Sequence, residues 1–125
     1  MVEDHRKPLG RRGEQVASVA LKDAGYRILQ LNYHCPIGEI DIVARKGRTL
    51  VFVEVKSESG WKGVIPKARV DKRKQRKLVK VAQFYLKEKR LQGVSARFDV
   101  VQVRLQDVGR PVVEIIPDAF EAQAQ

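Results

Sequence analysis

Acidic residues stand in two consecutive segments that otherwise have the composition of buried strands. The segment from Gly38 to Ala44 carries Asp41 between two isoleucines, and the segment from Leu50 to Lys56 carries Glu54 near its end. Side chains alternate between the faces of a strand, so Glu54 and Lys56 share a face. In a hairpin of these strands, Asp41 would lie close to Glu54. Two carboxylates and a lysine at one sheet edge therefore predict a site for a divalent metal ion.

The chemistry of such a site is phosphodiester hydrolysis. Hard cations such as Mg²⁺ bind carboxylate oxygens and often complete their shell with waters and a substrate phosphate. A cation held by Asp41 and Glu54 would polarise a phosphodiester and activate water. Lys56 would orient that water or neutralise the charge that develops at the phosphate. The ordinary alternative is a surface ion pair at a strand end, worth about 0–1 kcal/mol.

Two further acids have both a functional and an ordinary interpretation. Glu14 lies three residues before Ala17 and seven before Leu21, on the apolar face of a predicted helix. A carboxylate there either pairs with a cation or serves as a first-turn acid that suits the helix dipole. Asp99 opens a predicted strand, where a cap or a pairing with Arg97 explains it as well as a catalytic role.

A strongly basic segment follows the acidic strands. Residues 67–80 contain eight Lys or Arg and one acid. Lys74 falls four residues before Leu78 on the inward stripe of a predicted helix, so we expect it to reach toward the acidic pair, whereas its neighbours face outward along a phosphate backbone. Trp61 either stacks on a splayed base or packs on the core. The predicted nucleic-acid-binding residues are Lys72, Arg73, Lys74, Arg76, Lys77, Lys80 and, as a weaker candidate, Trp61.

Composition narrows the class of protein. The 125 residues are 43% hydrophobic and carry a formal charge of +10, which predicts one compact domain with a polyanionic partner. The single cysteine, Cys35, forms no internal disulfide and is typical of a reducing cytoplasm. One cysteine and two histidines cannot close a structural zinc site. No apolar run is long enough to span a bilayer, so we expect a cytoplasmic protein without membrane association.

Hydrophobic periodicity predicts the elements that position these residues. Apolar residues recur with a helical period over about 13–24, which predicts a first helix. The same period predicts a second helix that begins at Lys67 or Asp71 and ends at about Arg90. Strands are predicted at 26–32, 38–44, 50–56, 98–105 and 112–116, with a short helical turn near Phe120. The order α-β-β-β-α-β-β predicts an α/β domain with a central mixed five-stranded sheet flanked by helices. We assign residues 1–9 to a flexible arm and 10–120 to the domain.

Several motifs together resemble the YraN-like family of predicted endonucleases, which is similar to archaeal-type Holliday junction resolvases and the restriction-endonuclease-like superfamily. The resemblance extends from about residue 10 to 105. The motifs are Gly13-Glu14-Gln15-x-Ala17, Gly25-Tyr26-x-Ile28-Leu29-x-x-Asn32, Gly38-Glu39-Ile40-Asp41-Ile42-Val43-Ala44, Phe52-Val53-Glu54-Val55-Lys56 and Arg97-Phe98-Asp99-Val100-Val101.

The resemblance implies a role for individual residues. Asp41 and Glu54 would hold Mg²⁺ or Mn²⁺ together with the backbone carbonyl of Val55, and Glu14 would support the metal through water. Lys56 would be the catalytic lysine. Lys74 matches a lysine that recurs in the second helix of the family. Glu58 stands where members often carry Arg, and an acid there is expected to weaken contact with a substrate phosphate.

We therefore predict a metal-dependent endonuclease-like protein that acts on DNA, including branched or repair intermediates, in preference to RNA. One alternative is a non-catalytic module that keeps the fold and binds DNA or structured RNA. Another is a ribosome-associated protein whose charge serves docking. The apolar strand at 112–116 offers an edge at which two copies could pair as a homodimer.

Overall fold

The computed structural model describes residues 6–59 and 70–120. Helix α1 spans Arg6–Asp23, and strands β1 (Arg27–Cys35), β2 (Gly38–Lys46) and β3 (Thr49–Ser59) follow it. Helix α2 spans Lys72–Glu88 and precedes strands β4 (Ala96–Leu105) and β5 (Val112–Phe120). The predicted α-β-β-β-α-β-β order is confirmed.

The five strands form one mixed sheet in the spatial order β1-β2-β3-β4-β5. Strands β3 and β4 are parallel, and every other neighbouring pair is antiparallel. Parallel neighbours need a long crossover, and the segment that contains α2 supplies it. The central strand β3 is therefore hydrogen-bonded on both sides, which suits its run of aliphatic residues.

The two helices pack on opposite faces of this sheet. Val51 and Val53 of β3 belong to the core beneath α1, whereas Leu50 and Phe52 belong to the core beneath α2. This division follows directly from the alternation of side chains along a strand. Glu54 continues the Leu50–Phe52 series, so β3 presents it on the face that α2 covers.

Asp71 is the N-cap residue of helix α2. The side chain of Asp71 accepts a hydrogen bond from the backbone N–H of Lys74 at 2.8 Å, and Asp71 itself has extended backbone angles. An aspartate in this position satisfies an N–H that the first turn leaves without a helical partner. The buried residues of α2 are Leu78, Val81, Ala82 and Tyr85, and they hold one face of the helix on the sheet.

The strands β1, β2 and β3 run a few residues past their predicted ends, and the two ends of the domain differ from the prediction in kind. Helix α1 begins at Arg6 rather than near Gly13, so residues 6–9 are helical, and residues 1–5 lie outside the described part of the chain. Pro8 is compatible with this start, because proline is tolerated in the first turn of a helix. The helical turn expected near Phe120 is wrong: β5 continues to Phe120, whose ring stacks on Phe98 with centroids 4.7 Å apart.

Gly13 sets how closely α1 approaches β3. A Cβ atom at this position would lie 1.7 Å from the Oγ of Ser57, so Gly13→Ala must push the helix or the strand aside. We expect Gly13→Ala to lower the free energy of unfolding by about 1–3 kcal/mol. Gly10 of the same helix is the matched control, because its Cβ would meet nothing within 4 Å. Gly10→Ala should stabilise the protein by about 0.5–1 kcal/mol. Chemical denaturation measures both, and equal effects would contradict this packing.

Candidate active site

Asp41 is held beside β3 by a backbone hydrogen bond. The β2–β3 register runs from Lys46 opposite Thr49 to Ile42 opposite Val53. One residue further along β2, the Oδ2 atom of Asp41 accepts a hydrogen bond from the backbone N–H of Val55 at 2.8 Å. A side-chain carboxylate thus bonds to a main-chain amide of the neighbouring strand, and its position is fixed relative to Glu54.

The environment of Asp41 disfavours its charge. Burial raises the pKa of Asp41 most, and the negative charge of Glu54 raises it further, with smaller contributions from Glu14 and Glu39. The hydrogen bond from Val55 opposes these effects, yet the pKa rises from 3.8 to about 7. Like charges held close together in a half-buried position produce this result. Asp41 therefore lies among carboxylates that a cation would stabilise.

Glu54 already has a cationic neighbour, Lys74 of α2. The Nζ atom of Lys74 donates a hydrogen bond to Oε1 of Glu54, whose side chain is only 12% exposed. Burial acts to lower the pKa of Lys74, but the hydrogen bond and charge of Glu54 outweigh it and raise this pKa. The structure shows the inward orientation that the helical wheel predicts for Lys74, and α2 delivers an ammonium to the acidic cluster.

Glu14 approaches the same cluster from α1. Its carboxylate is half-buried, and burial raises its pKa, as does the charge of Glu39. A hydrogen bond with the side chain of Asn32 lowers this pKa and so favours the ionised form. The close packing at Gly13 brings this part of α1 against β3. Three separate elements thus contribute acids to one region.

Lys56 lies two residues beyond Glu54 in the same strand. It is half-buried, and its backbone stands in register with Gln102 of β4. Because side chains alternate along a strand, Lys56 shares a face with Glu54. Lys56 therefore lies, like Glu54, on the side of the sheet that α2 covers.

The donor set fits a hard divalent cation with few protein ligands. Among residues 6–59 and 70–120, no group of three or more His, Cys, Asp or Glu side chains is placed so that it could hold a metal ion. Asp41 and Glu54 remain as a pair whose charges repel, as the raised pKa of Asp41 shows. Mg²⁺ commonly uses one or two carboxylates and completes its shell with water and substrate phosphate. The pair suits that mode of binding.

The basic residues of α2 form an outward surface. The side chains of Lys72, Arg73, Arg76, Lys77 and Lys80 are all exposed. Trp61 lies outside the described residues, so its predicted stacking role stays a prediction. Within the part of the chain that the structure describes, neither helix is long and apolar enough to cross a membrane.

Two acids outside the cluster, Asp99 and Glu58, form ion pairs with arginines of β4. Asp99 is fully buried and accepts hydrogen bonds from Tyr26 at 2.6 Å and from Nε of Arg97 at 3.0 Å, so the pairing with Arg97 is confirmed. Glu58 accepts a hydrogen bond from Arg104 at 3.2 Å, and Arg104 is only 2% exposed. The adjacent strand thus supplies a guanidinium beside Glu58. Arg104 is one of two arginines in β4, and its place in the sequence gave no signal of this pairing.

Comparison with known proteins shows which family this chain is similar to. The model of the uncharacterised protein family UPF0102 matches residues 13–103. A UPF0102 protein of Syntrophus aciditrophicus is 52% identical over 112 residues, which cover 90% of this chain and 87% of that protein. A UPF0102 protein of Moorella thermoacetica is 47% identical over 116 residues, with coverage of 92% and 97%. Among solved structures, the Holliday junction resolvase Hjc of Archaeoglobus fulgidus aligns with a TM-score of 0.40 and 18% identity, over 86% of this chain and 75% of that one.

The raised pKa of Asp41 predicts how the metal-free protein responds to pH. Its ordinary value is 3.8, against about 7 in the folded protein. Between these values the unfolded chain ionises while the folded protein keeps the proton, so stability falls as the pH rises through this range, and the full cost remains above it. Asp41→Asn keeps an acceptor for the Val55 N–H but removes the charge. In EDTA at about pH 8 we expect this variant to melt several degrees above wild type, with little difference near pH 4.

The matched control is Asp107→Asn, which makes the same charge change at an exposed position between β4 and β5. Its melting temperature should follow that of wild type at both pH values. An Asp41→Asn variant that melts below wild type at the higher pH would contradict the electrostatic description of the site.

Proposed function

This chain belongs to the uncharacterised protein family UPF0102, and we propose that it is a metal-dependent nuclease that hydrolyses phosphodiester bonds of DNA, including branched or repair intermediates. Membership confirms the YraN-like resemblance of the motifs. One observation carries the proposal: the Val55 N–H fixes the Asp41 carboxylate beside Glu54, and Lys56 follows on the same face of β3. A pair of acids and a lysine on adjacent strands is a constellation that suits phosphoryl chemistry.

In this proposal Asp41 and Glu54 hold Mg²⁺ or Mn²⁺, with the Val55 carbonyl as a further ligand and Glu14 acting through water. When bound, such a cation polarises the phosphodiester and favours the ionisation of water. The ammonium of Lys56 orients the attacking water and stabilises the negative charge that grows on the phosphate. Alternation along β3 puts Glu54 and Lys56 on one face, and the hydrogen bond from the Val55 N–H holds Asp41 beside that strand.

Lys74 couples the acidic pair to the substrate in the same proposal. Its ammonium balances Glu54 while no cation is present. With a cation held at Glu54, the Lys74 ammonium would instead pair with a phosphate of the substrate. The exposed basic residues of α2 continue outward from Lys74 and provide contacts with the phosphate backbone, which would make affinity fall with rising salt.

The Lys74–Glu54 pair also favours the second candidate, a nucleic-acid-binding module that performs no chemistry. An acid already balanced by an ammonium needs no metal ion to be stable in the fold. This candidate requires salt-sensitive binding that is lost when Arg73, Arg76 and Lys80 are neutralised but is unaffected by substitution of Asp41. A preference for structured RNA over DNA in competition would instead favour a ribosome-associated role.

Cleavage assays test the nuclease proposal. We expect Mg²⁺- or Mn²⁺-dependent cleavage of branched, duplex or single-stranded DNA by wild type, with a loss of at least about 100-fold in Asp41→Ala, Glu54→Ala and Lys56→Ala. Asp107→Asn is the control, because this exposed acid lies in the segment between β4 and β5 and is none of the residues assigned to the site. Equal residual activity in all preparations would identify a contaminating nuclease and count against the proposal.

A further inference from the structure

Two arginines stand opposite each other at the end of the β1–β2 pair that lies away from the acidic cluster. Arg27 is the register partner of Arg45, and both side chains are exposed. Partners in antiparallel strands point to the same face, with Cβ atoms about 4.5–5.5 Å apart, and like charges placed in this way oppose the pairing. Stability therefore does not account for these two residues, which we call the arginine pair.

No acid offsets the repulsion within the arginine pair. Across residues 6–59 and 70–120, neither guanidinium forms a hydrogen bond or an ion pair. Two other cations at this end of the sheet do have structural partners. Lys46 donates a hydrogen bond to the carbonyl of Ala24 and lies 5.0 Å from the ring centroid of Tyr26, and Arg97 pairs with Asp99. The arginine pair has no comparable role in the fold.

The arginine pair lies on the same side of the sheet as the candidate active site. Ile28 and Ala44, each next to one of the arginines, belong to the core beneath α1. Alternation therefore turns the arginine pair toward the side that α2 covers. Leu50, the partner of Arg45 in β3, belongs to the core beneath α2, which agrees with this assignment. The exposed basic residues of α2, Glu54 and Lys56 are on that side too.

The distance from the arginine pair to the acidic cluster suits a nucleic-acid duplex. Arg45 is four positions beyond Asp41 in β2, which corresponds to roughly 13 Å at about 3.3 Å per residue. Phosphates along one strand of B-DNA follow each other every ~3.4 Å of the helix axis, so this length spans about four base pairs. A duplex that follows β2 from the acidic cluster would present phosphates to both guanidinium groups.

We propose that the arginine pair is a second phosphate-binding surface, which contacts a duplex arm of the DNA substrate about four base pairs from the cleaved bond. This inference rests on the proposed function and adds that the substrate carries a duplex arm of at least that length. A phosphate between two guanidinium groups attracts both and offsets their mutual repulsion. The bound state thus relieves an unfavourable interaction that the free protein retains.

The double variant Arg27→Gln/Arg45→Gln tests this surface. Binding is measured in EDTA, which prevents metal-dependent cleavage, with a DNA duplex of about 20 base pairs at several salt concentrations. The slope of log affinity against log salt should become shallower by about 1.8, since each lost phosphate contact removes about 0.9. At about 0.1 M salt the affinity should fall by about 10-fold or more. The melting temperature should equal or exceed that of wild type, because a repulsive pair is removed.

Lys22→Gln is the matched control for the single variant Arg45→Gln, because each removes one positive charge. Lys22 is exposed in the last turn of α1, on the opposite side of the sheet. Arg45→Gln should reduce the salt slope by about 0.9, whereas Lys22→Gln should leave it unchanged. Equal reductions in both variants would reflect net charge alone and would overturn the inference.

The remaining outcomes separate this inference from the proposed function. DNA binding that is weakened by Arg73→Gln/Arg76→Gln but not by Arg27→Gln/Arg45→Gln would overturn the inference and leave the proposed function standing. An effect of the double variant on RNA duplexes but not on DNA would also overturn it. Absence of DNA binding by wild type would overturn both.

NMR spectroscopy of the unsubstituted protein provides a measurement that no folding defect can affect. The backbone amide signals of Arg27 and Arg45 should shift when the DNA duplex is added in EDTA, and they should return as salt is raised. The amide signal of Lys22 should stay in place. Signals of the arginine pair that do not move while those of α2 shift would overturn the inference.

Discussion

The hydrogen bond from the Val55 N–H to the Asp41 carboxylate is the constraint on which the rest of the site depends. It ties an acid of β2 to the backbone of β3 one residue beyond Glu54. The acid is then half-buried and close to another carboxylate, and its pKa rises to about 7. An apolar residue at this position would favour folding more than Asp41 does, because an acid in such surroundings opposes folding once it ionises. Functional sites commonly keep arrangements of this kind, in which stability is lower but geometry is fixed.

The two helices add a carboxylate and an ammonium to the acids that the sheet provides. Gly13 lets α1 approach β3 closely enough for Glu14 to join the cluster. On the other face, the Asp71 cap fixes the first turn of α2, from which Lys74 reaches Glu54. The site therefore holds both signs of charge. Under the proposed function, an arriving cation would exchange with the Lys74 ammonium instead of entering an unbalanced group of acids, and metal and phosphate binding would then depend on each other.

Much of this arrangement follows from sequence periodicity, and the remainder depends on contacts between distant segments. A period of two places Glu54 and Lys56 on one face, and a helical period turns Glu14 and Lys74 inward. The left-handed backbone of Asn32 in β1, with a φ angle of +53°, was not predicted, because it depends on how β1 pairs with β2. The sequence did contain an indication of this conformation, since asparagine is rare within strands and tolerates a left-handed backbone. The chain order and mixed sheet were predictable, whereas the start of α1 was not, because residues 1–9 are largely polar and charged and show no helical periodicity.

Calorimetric titration of Mg²⁺ and Mn²⁺ into the protein, with and without non-cleavable DNA, tests most directly whether Asp41 and Glu54 form one metal centre. Wild type should bind a cation with measurable heat, and both Asp41→Asn and Glu54→Gln should abolish it, because each removes one of the two charges that hold the ion. Heats of binding that persist unchanged in both variants, or no heat from wild type even with DNA present, would contradict the proposed centre.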